Sequence, residues 1–345
     1  MEDEMLDIRK LRYFMTVVEL GSFTKAAALL RIAQPALSRQ VQQLEEELGL
    51  KLLQRQGRQL RLTDTGEALL LHARTIGRDF ERLREDMQAR KGQPKGRVIV
   101  GIPPTLATTL VSPLIDAVRL ALPLITIKIV EGLTPVLTEW VRNSEADMAV
   151  LSLANSDDGN KIAGVSLETV TNEDMIVVEK ARIPPAPTVY KLAALSAKPI
   201  VASQLLTDIV YTQLGSDDFS FNVVTEVDSV QAIKTMVLRG QAATILPVSM
   251  FAAELRSGAV VGSAITSRGV RRTLVLAQPS FRQTTQAINS VHHVIKQLMQ
   301  QLSAEGVFSL RPASSRASQA YHAHRTAQNS GRAKAKRKRA KRTRN

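Results

Sequence analysis

Apolar positions in the first third of the chain recur at helical spacing. Ile8, Leu11, Phe14, Val17 and Val18 mark one face of a helix over residues 6–20, with Tyr13 and Phe14 read as core residues. Ser22 stands where it caps a short second helix, with Phe23, Ala26, Ala27 and Leu30 turned inward. Residues 31–34 interrupt the pattern, and Pro35 follows at a helix start, where a missing N–H is tolerated. Leu37, Val41, Leu44 and Leu48 then form a third apolar stripe. The opposite face carries Gln34, Ser38, Arg39 and Gln42, side chains able to bond base edges and phosphates. Two short helices joined by a tight turn, the second with such a face, predict a helix-turn-helix. Leu52 to Leu62 alternates around Gly57 and predicts a hairpin. As a wing beside the recognition helix, it places Arg55 and Arg58 to reach phosphates or a minor groove; a solvated basic loop is the plainer alternative.

A long helix follows, capped by Thr63 or Asp64, with Asp64 and Glu67 at capping-box spacing. Leu69, Ala73, Ile76, Phe80, Leu83 and Met87 recur every three or four residues, a period-3.5 seam flanked by charge. Such a seam either pairs two copies of the chain or packs on its own domain. Residues 91–96, Lys-Gly-Gln-Pro-Lys-Gly, read as a hinge. Beyond it the pattern changes to short apolar runs (97–102, 125–130, 148–151) alternating with helical stretches (105–120, 133–143). That order predicts a parallel sheet covered by helices. Strand candidates at 175–178, 200–201, 223–227 and 244–246, with a helix from Ser229 to Leu238, repeat the theme. One more strand (272–277) and a closing helix (284–302) return the chain to the first unit. Three strand-to-helix joins suit a small anion: those at Thr105, Thr134 and Ser203. Each hydroxyl taken singly reads first as an ordinary helix cap.

The resemblance is carried by Leu11-Arg12-Tyr13-Phe14, Gly21-Ser22-Phe23-Thr24-x-Ala26-Ala27, Gln34-Pro35-Ala36-Leu37-Ser38-Arg39-Gln40, Leu44-Glu45, Leu48-Gly49, Arg55 and Leu62-Thr63-x-x-Gly66. In these the sequence resembles the LysR-type transcriptional regulators, over residues 6–305 and most strongly over the first 66. The resemblance implies an α+β multidomain chain. A winged helix-turn-helix spans 1–63, a dimerising linker helix 64–90 and a hinge 91–96. The effector-binding domain, 97–310, consists of two α/β subdomains of periplasmic-binding-protein-like type, one of 97–164 with 269–310, the other of 165–268. It implies DNA contacts from Ser22, Thr24, Gln34, Pro35, Ser38, Arg39, Gln42, Arg55 and Arg58. It implies effector contacts from Thr105, Thr134 and the loop at Ser203; Pro104 beside Thr105 is a further candidate, and Thr266 near the return crossing a weaker one. Pro103 and Pro104 depart from the polar residues usual in the family there, which points to an altered effector class. The expected partners are double-stranded DNA with a partly palindromic site, a small, anionic effector, and a second copy of the chain as dimer or tetramer. RNA polymerase joins them where the outcome is activation.

Charge modifies this picture little. The formal net charge is +14 from 46 basic and 32 acidic residues, but residues 311–345 hold 12 Lys or Arg and no acid. Without them the body is near +2 (34 against 32), so bulk charge is not what argues for DNA. That tail has no apolar periodicity and is expected to be disordered; it either adds phosphate affinity or is merely solvated. There is no cysteine, which excludes disulfides and thiolate chemistry and fits a reducing cytoplasm. No signal segment or membrane-length apolar run is present. The five histidines lack zinc spacing, and no phosphate-binding glycine loop or nucleophile elbow occurs, so neither an enzyme nor a cofactor is expected. Trp140 reads as a packing residue. A solute-binding module, a small-molecule enzyme and an architectural DNA protein remain the alternatives.

Overall fold

A computed structural model describes residues 7–56, 59–89, 93–154, 162–182, 186–214, 220–266, 269–281 and 284–310. Three helices open the chain: α1 (Ile8–Leu20), α2 (Phe23–Leu30) and α3 (Gln34–Leu48). Asp7 caps α1, and Ser22 caps α2 by accepting the Lys25 amide at 3.3 Å. Between α2 and α3 the chain turns at Arg31, which takes a left-handed conformation (φ 56°). Strands β1 (Leu53–Gln56) and β2 (Gln59–Leu62) form the expected hairpin, with Gln56 opposite Gln59. Its tip, Gly57 and Arg58, lies outside the described residues.

Helix α4 (Asp64–Ala89) starts with Thr63 as its cap, not Asp64: the Thr63 hydroxyl accepts the Gly66 amide at 3.0 Å and donates to the Lys51 carbonyl. Asp64 and Glu67 are therefore inside the first turn, where their charge suits the helix N-terminus. A side chain at Gly66 would place its Cβ 2.1 Å from the Leu52 carbonyl oxygen, so only glycine lets α4 lie this close to the hairpin. The α4 seam divides. Ala73 is fully buried and Leu69 packs beneath the winged domain, whereas Ile76, Phe80, Leu83 and Met87 are 43–57% exposed. A different edge of α4 faces the following domain: Thr75 donates to the Asn143 carbonyl at 3.2 Å, and Arg82 pairs with buried Asp147.

The remaining elements are β3 (Gly96–Ile102), α5 (Pro104–Ala121), β4 (Ile125–Glu131), α6 (Thr134–Arg142), β5 (Met148–Ala154), β6 (Val165–Lys180), β7 (Val189–Tyr190), α7 (Leu192–Ser196), β8 (Ile200–Ala202), α8 (Gln204–Leu214), β9 (Val223–Glu226), α9 (Val230–Arg239), β10 (Thr244–Pro247), a 3₁₀ turn (Val248–Phe251), α10 (Ala252–Ser257), β11 (Val260–Ile265), β12 (Val270–Pro279) and α11 (Gln286–Ala304). Strands run β4-β3-β5-β12-β6-β11-β7 in one mixed sheet, with β10 also on β6 and β8-β9 apart. β3 is parallel to β4 and β5, as the sequence order implied, but β12 is antiparallel to both its neighbours.

The sequence pattern found only the end of β6. The strand is 16 residues long, and its first half pairs with β12 while its second half pairs with β10 and β11. Polar residues from Glu168 to Asp174 hid that first half. Val170 packs in the first lobe and Met175 in the second, so the crossing falls near Glu173 rather than at residue 165. Strands β7 and β11 were not anticipated, and of helix α8 only its start after Ser203 was. In β11, Gly262 faces Ile176, and a Cβ there would approach its Cδ1 to 2.9 Å. One apolar cluster fills the second lobe and two fill the first, where Leu110, Leu114, Val118, Val291 and Ile295 zip α5 to α11 and Leu137 and Val141 of α6 pack with Leu151 and Val275. At about 25 cal/mol per Å² of apolar area removed from water, these clusters are the main stabilising term.

Candidate nucleic-acid interface and effector cleft

The recognition surface follows from the burial of the other side of α3. Leu37 and Val41 pack against Val17, Ala26 and Ala27, and Leu44 against Leu11 and Phe14, all three at most 2% exposed, and this fixes the helix's rotation. Gln34, Pro35, Arg39 and Gln42 are then exposed, Ser38 is half-buried, and Thr24 on α2 is exposed beside them. Two of the candidates already have protein partners. Ser22 is committed to capping α2, and the Gln42 amide donates to Glu46 at 3.0 Å. Arg55 lies on β1 opposite Leu60, and Arg58 falls outside the described residues.

Glu45, on the buried side of α3, holds helix and hairpin together. Its carboxylate accepts the Leu52 and Leu53 amides at 2.9 and 3.2 Å and pairs with Lys51 at 2.6 Å. Burial pushes this carboxyl up; the Lys51 ammonium and the two amides pull it down harder, and it titrates below the ordinary glutamate range. Glu45 thus ties the recognition helix to the start of the wing, a role the periodicity of α3 does not disclose.

The second site is a cavity of about 160 Å³ between the lobes. Pro103, Pro104 and Thr105 come from the start of α5, Thr134 and Pro135 from α6, and Ser203 from the start of α8. Four of the five expected effector contacts, Pro104, Thr105, Thr134 and Ser203, therefore converge on one space. Thr266 does not join them: it ends β11 in a left-handed turn (φ 56°), with its amide bound to the Tyr190 carbonyl, away from the cavity lining. The expectation that Thr105 and Thr134 cap their helices is also corrected. The caps are Pro103 and Leu133, neither with a side-chain bond. Thr134 Oγ1 instead clamps β5, donating to the Ser152 carbonyl at 3.1 Å and accepting its amide at 3.2 Å.

What sequence reasoning missed is Arg272, fully buried at the floor of the cleft. Strand register sets it opposite Glu173, also fully buried, and the two form a double contact: Nε and Nη2 donate to Glu173 Oε2 at 2.9 and 2.7 Å. Glu173 Oε1 accepts the Ser249 amide of the second lobe at 2.9 Å. Arg272 Nη1 donates to Thr105 Oγ1 at 2.8 Å and to Ser152 Oγ at 3.2 Å. A signal was present: Arg271-Arg272 interrupts an otherwise apolar strand, and in alternation one of the two must face inward and be paired.

The family of the LysR substrate binding domain matches residues 91–300, and the bacterial regulatory helix-turn-helix protein, lysR family, matches residues 8–67. The chain belongs to the LysR family. It is a transcriptional regulator, not an enzyme, with a DNA-binding helix-turn-helix and an effector-binding domain. The LysR-family regulator is 34% identical to the nitrogen assimilation regulatory protein nac of Escherichia coli (strain K12) over 285 residues, covering 80% of this chain and 89% of that protein. In fold it matches a full-length OxyR variant from Pseudomonas aeruginosa (TM-score 0.66, 22% identity, 86% of this chain and 95% of that one). It also matches full-length CbnR complexed with its target DNA (TM-score 0.62, 21% identity, 85% and 99%). Among the described residues no helix is long and apolar enough to cross a membrane.

Proposed function

We propose that this regulator acts on the cytoplasmic chromosome as a homo-oligomer, reading a partly palindromic site under the control of a small, anionic effector held between its lobes. Gln34, Ser38, Arg39 and Gln42 of α3 meet the major groove, with Arg55 and Arg58 flanking it. The observation that carries the reading is the presence of two outward surfaces on the N-terminal helices. The polar face of α3 is turned outward, and α4 presents Ile76, Phe80, Leu83 and Met87 half-exposed along one edge. A second α4 laid along that edge removes the apolar row from water and brings a second recognition helix into play, which dyad-symmetric DNA requires. The effector part of the reading is supported by Thr105, Thr134 and Ser203 around one cavity with Arg272 beneath them. An effector shifts the lobes only by binding one arrangement better than another.

The test is direct. The double substitution Phe80→Asp with Leu83→Asp places four charges in a paired α4 seam and is expected to lower the solution mass measured by light scattering to that of one chain. Selection of fragmented DNA by the unsubstituted protein should recover a dyad-symmetric motif, and the substituted protein should lose it. Retention of both the mass and the motif would remove α4 as the pairing element.

A further inference from the structure

Among the described residues five helices end in the same left-handed turn. α1, α3, α9 and α10 close on Gly21, Gly49, Gly240 and Gly258, at φ 60–76°. α2 alone of the five closes on a residue with a side chain, Arg31, at φ 56°. A Cβ makes this conformation costly, and glycine avoids that cost. The turn is built by the backbone: the Arg31 amide donates to the Ala28 carbonyl at 3.2 Å and the Ile32 amide to the Ala27 carbonyl at 3.1 Å. Glycine would serve there as it does at the other four ends, so these bonds do not account for an arginine.

Folding makes no use of the side chain either. Leu30 and Ile32 pack into the cluster around Val17 and Leu37, and Arg31 between them is exposed. Other cations of the winged domain are held by acids: Arg9 by Asp7, Lys10 by Glu47 and Lys51 by Glu45. Among the described residues the Arg31 guanidinium has no ion-pair or hydrogen-bond partner. Its place in the motif gives the charge a use. The N-terminal residues of a recognition helix meet base edges, and the helix before it crosses the DNA backbone. The turn that joins the two therefore runs beside a phosphate strand. Arg31 stands three residues before Gln34, where α3 begins, which keeps it within about 11 Å of that helix end along the chain.

We propose that Arg31 is a phosphate-contact residue: its guanidinium bonds the DNA backbone at the edge of the major groove and fixes the register of α3 on the duplex. This rests on the reading of α3 as the recognition helix and adds a contact of another kind. A phosphate contact positions the protein without reading sequence. The left-handed arginine is kept because the turn is where the backbone passes. A cation also suits the C-terminal end of α2, but that role moves stability and not DNA binding.

The full-length protein is titrated by fluorescence anisotropy against two labelled duplexes over a series of salt concentrations. One duplex is recovered from fragmented DNA by the unsubstituted protein, and the other has random sequence. Arg31→Gly is expected to weaken both by the same factor, roughly tenfold. The slope of log affinity against log salt should become shallower by about 0.9 per subunit. The thermal midpoint of the free protein should be unchanged or raised, because glycine suits the turn. Arg31→Lys should restore the slope. An unchanged slope in Arg31→Gly would overturn the inference, and a lowered midpoint beside it would assign the residue to the end of α2. Loss on the selected duplex alone would also overturn it, since that marks a base contact. Arg39→Ala is the control. If it weakens the selected duplex while Arg31→Gly changes nothing, only the inference falls. If Arg39→Ala has no effect on either duplex, the recognition-helix reading itself falls.

Discussion

Arg39 and Arg272 carry the same guanidinium to opposite uses. Arg39 is exposed on α3, held out by a helix whose other face is packed. Arg272 is fully buried and bonded to Glu173, Thr105 and Ser152. The exposed group is free for a partner, because folding asks nothing of it. The buried group is committed to its own chain. Burial of an ion pair is weak support for stability, because desolvation offsets the attraction. Breaking such a pair is another matter.

The comparison breaks most visibly at Arg272. Arg272→Met strands the Glu173 carboxylate in the core and should destabilise the effector domain by about 3–5 kcal/mol. Urea unfolding measures it, and a loss under about 1 kcal/mol would mean that water reaches Glu173. The matching change on the other side has the opposite signature. Arg39→Ala should leave unfolding within about 0.5 kcal/mol and weaken specific DNA binding by about 1–3 kcal/mol. Equal loss on random DNA would make Arg39 a phosphate contact instead of a base contact. The smallest effect sharpens the comparison at Glu45, a buried charge in the exposed domain. Its folded pKa lies below its unfolded one, so its contribution is present above the unfolded value and fades as pH falls through the folded value. Glu45→Gln should therefore be less stable than the parent at neutral pH, with the gap closing below the ordinary glutamate range. A gap constant with pH would assign the effect to packing.

The two regions also differ in how far they could be read from the sequence. The DNA-binding side is contiguous. Leu37, Val41, Leu44 and Leu48 fix which way α3 faces, and the outward residues follow by subtraction. The α4 seam was legible as a seam, but not that Ala73 would be taken by the winged domain while Phe80 and Leu83 stayed open. In the effector domain the strand-to-helix joins at Thr105, Thr134 and Ser203 were visible, since glycine, proline and hydroxyl residues punctuate them. Their hydrogen bonds were not. The sequence offered Thr105 and Thr134 as caps, and the structure gives one to Arg272 and the other to Ser152. Strand β6 was half hidden because a strand buried by long-range pairing need not be apolar throughout.

What the sequence determined alone is whatever rests on neighbours three or four residues apart: the helix-turn-helix, the hairpin, the long seam and the order of α/β units. Those contacts are close along the chain, so local periodicity encodes them. Only the tertiary structure decided that Arg272 stands opposite Glu173, 99 residues away, and reaches Thr105, 167 residues away. Sheet register makes that choice, and register depends on the packing of both lobes at once. For the same reason several residues of the cleft were legible one by one, while the buried arginine that bonds Thr105 and Ser152 became visible only when β12 was laid between β5 and β6.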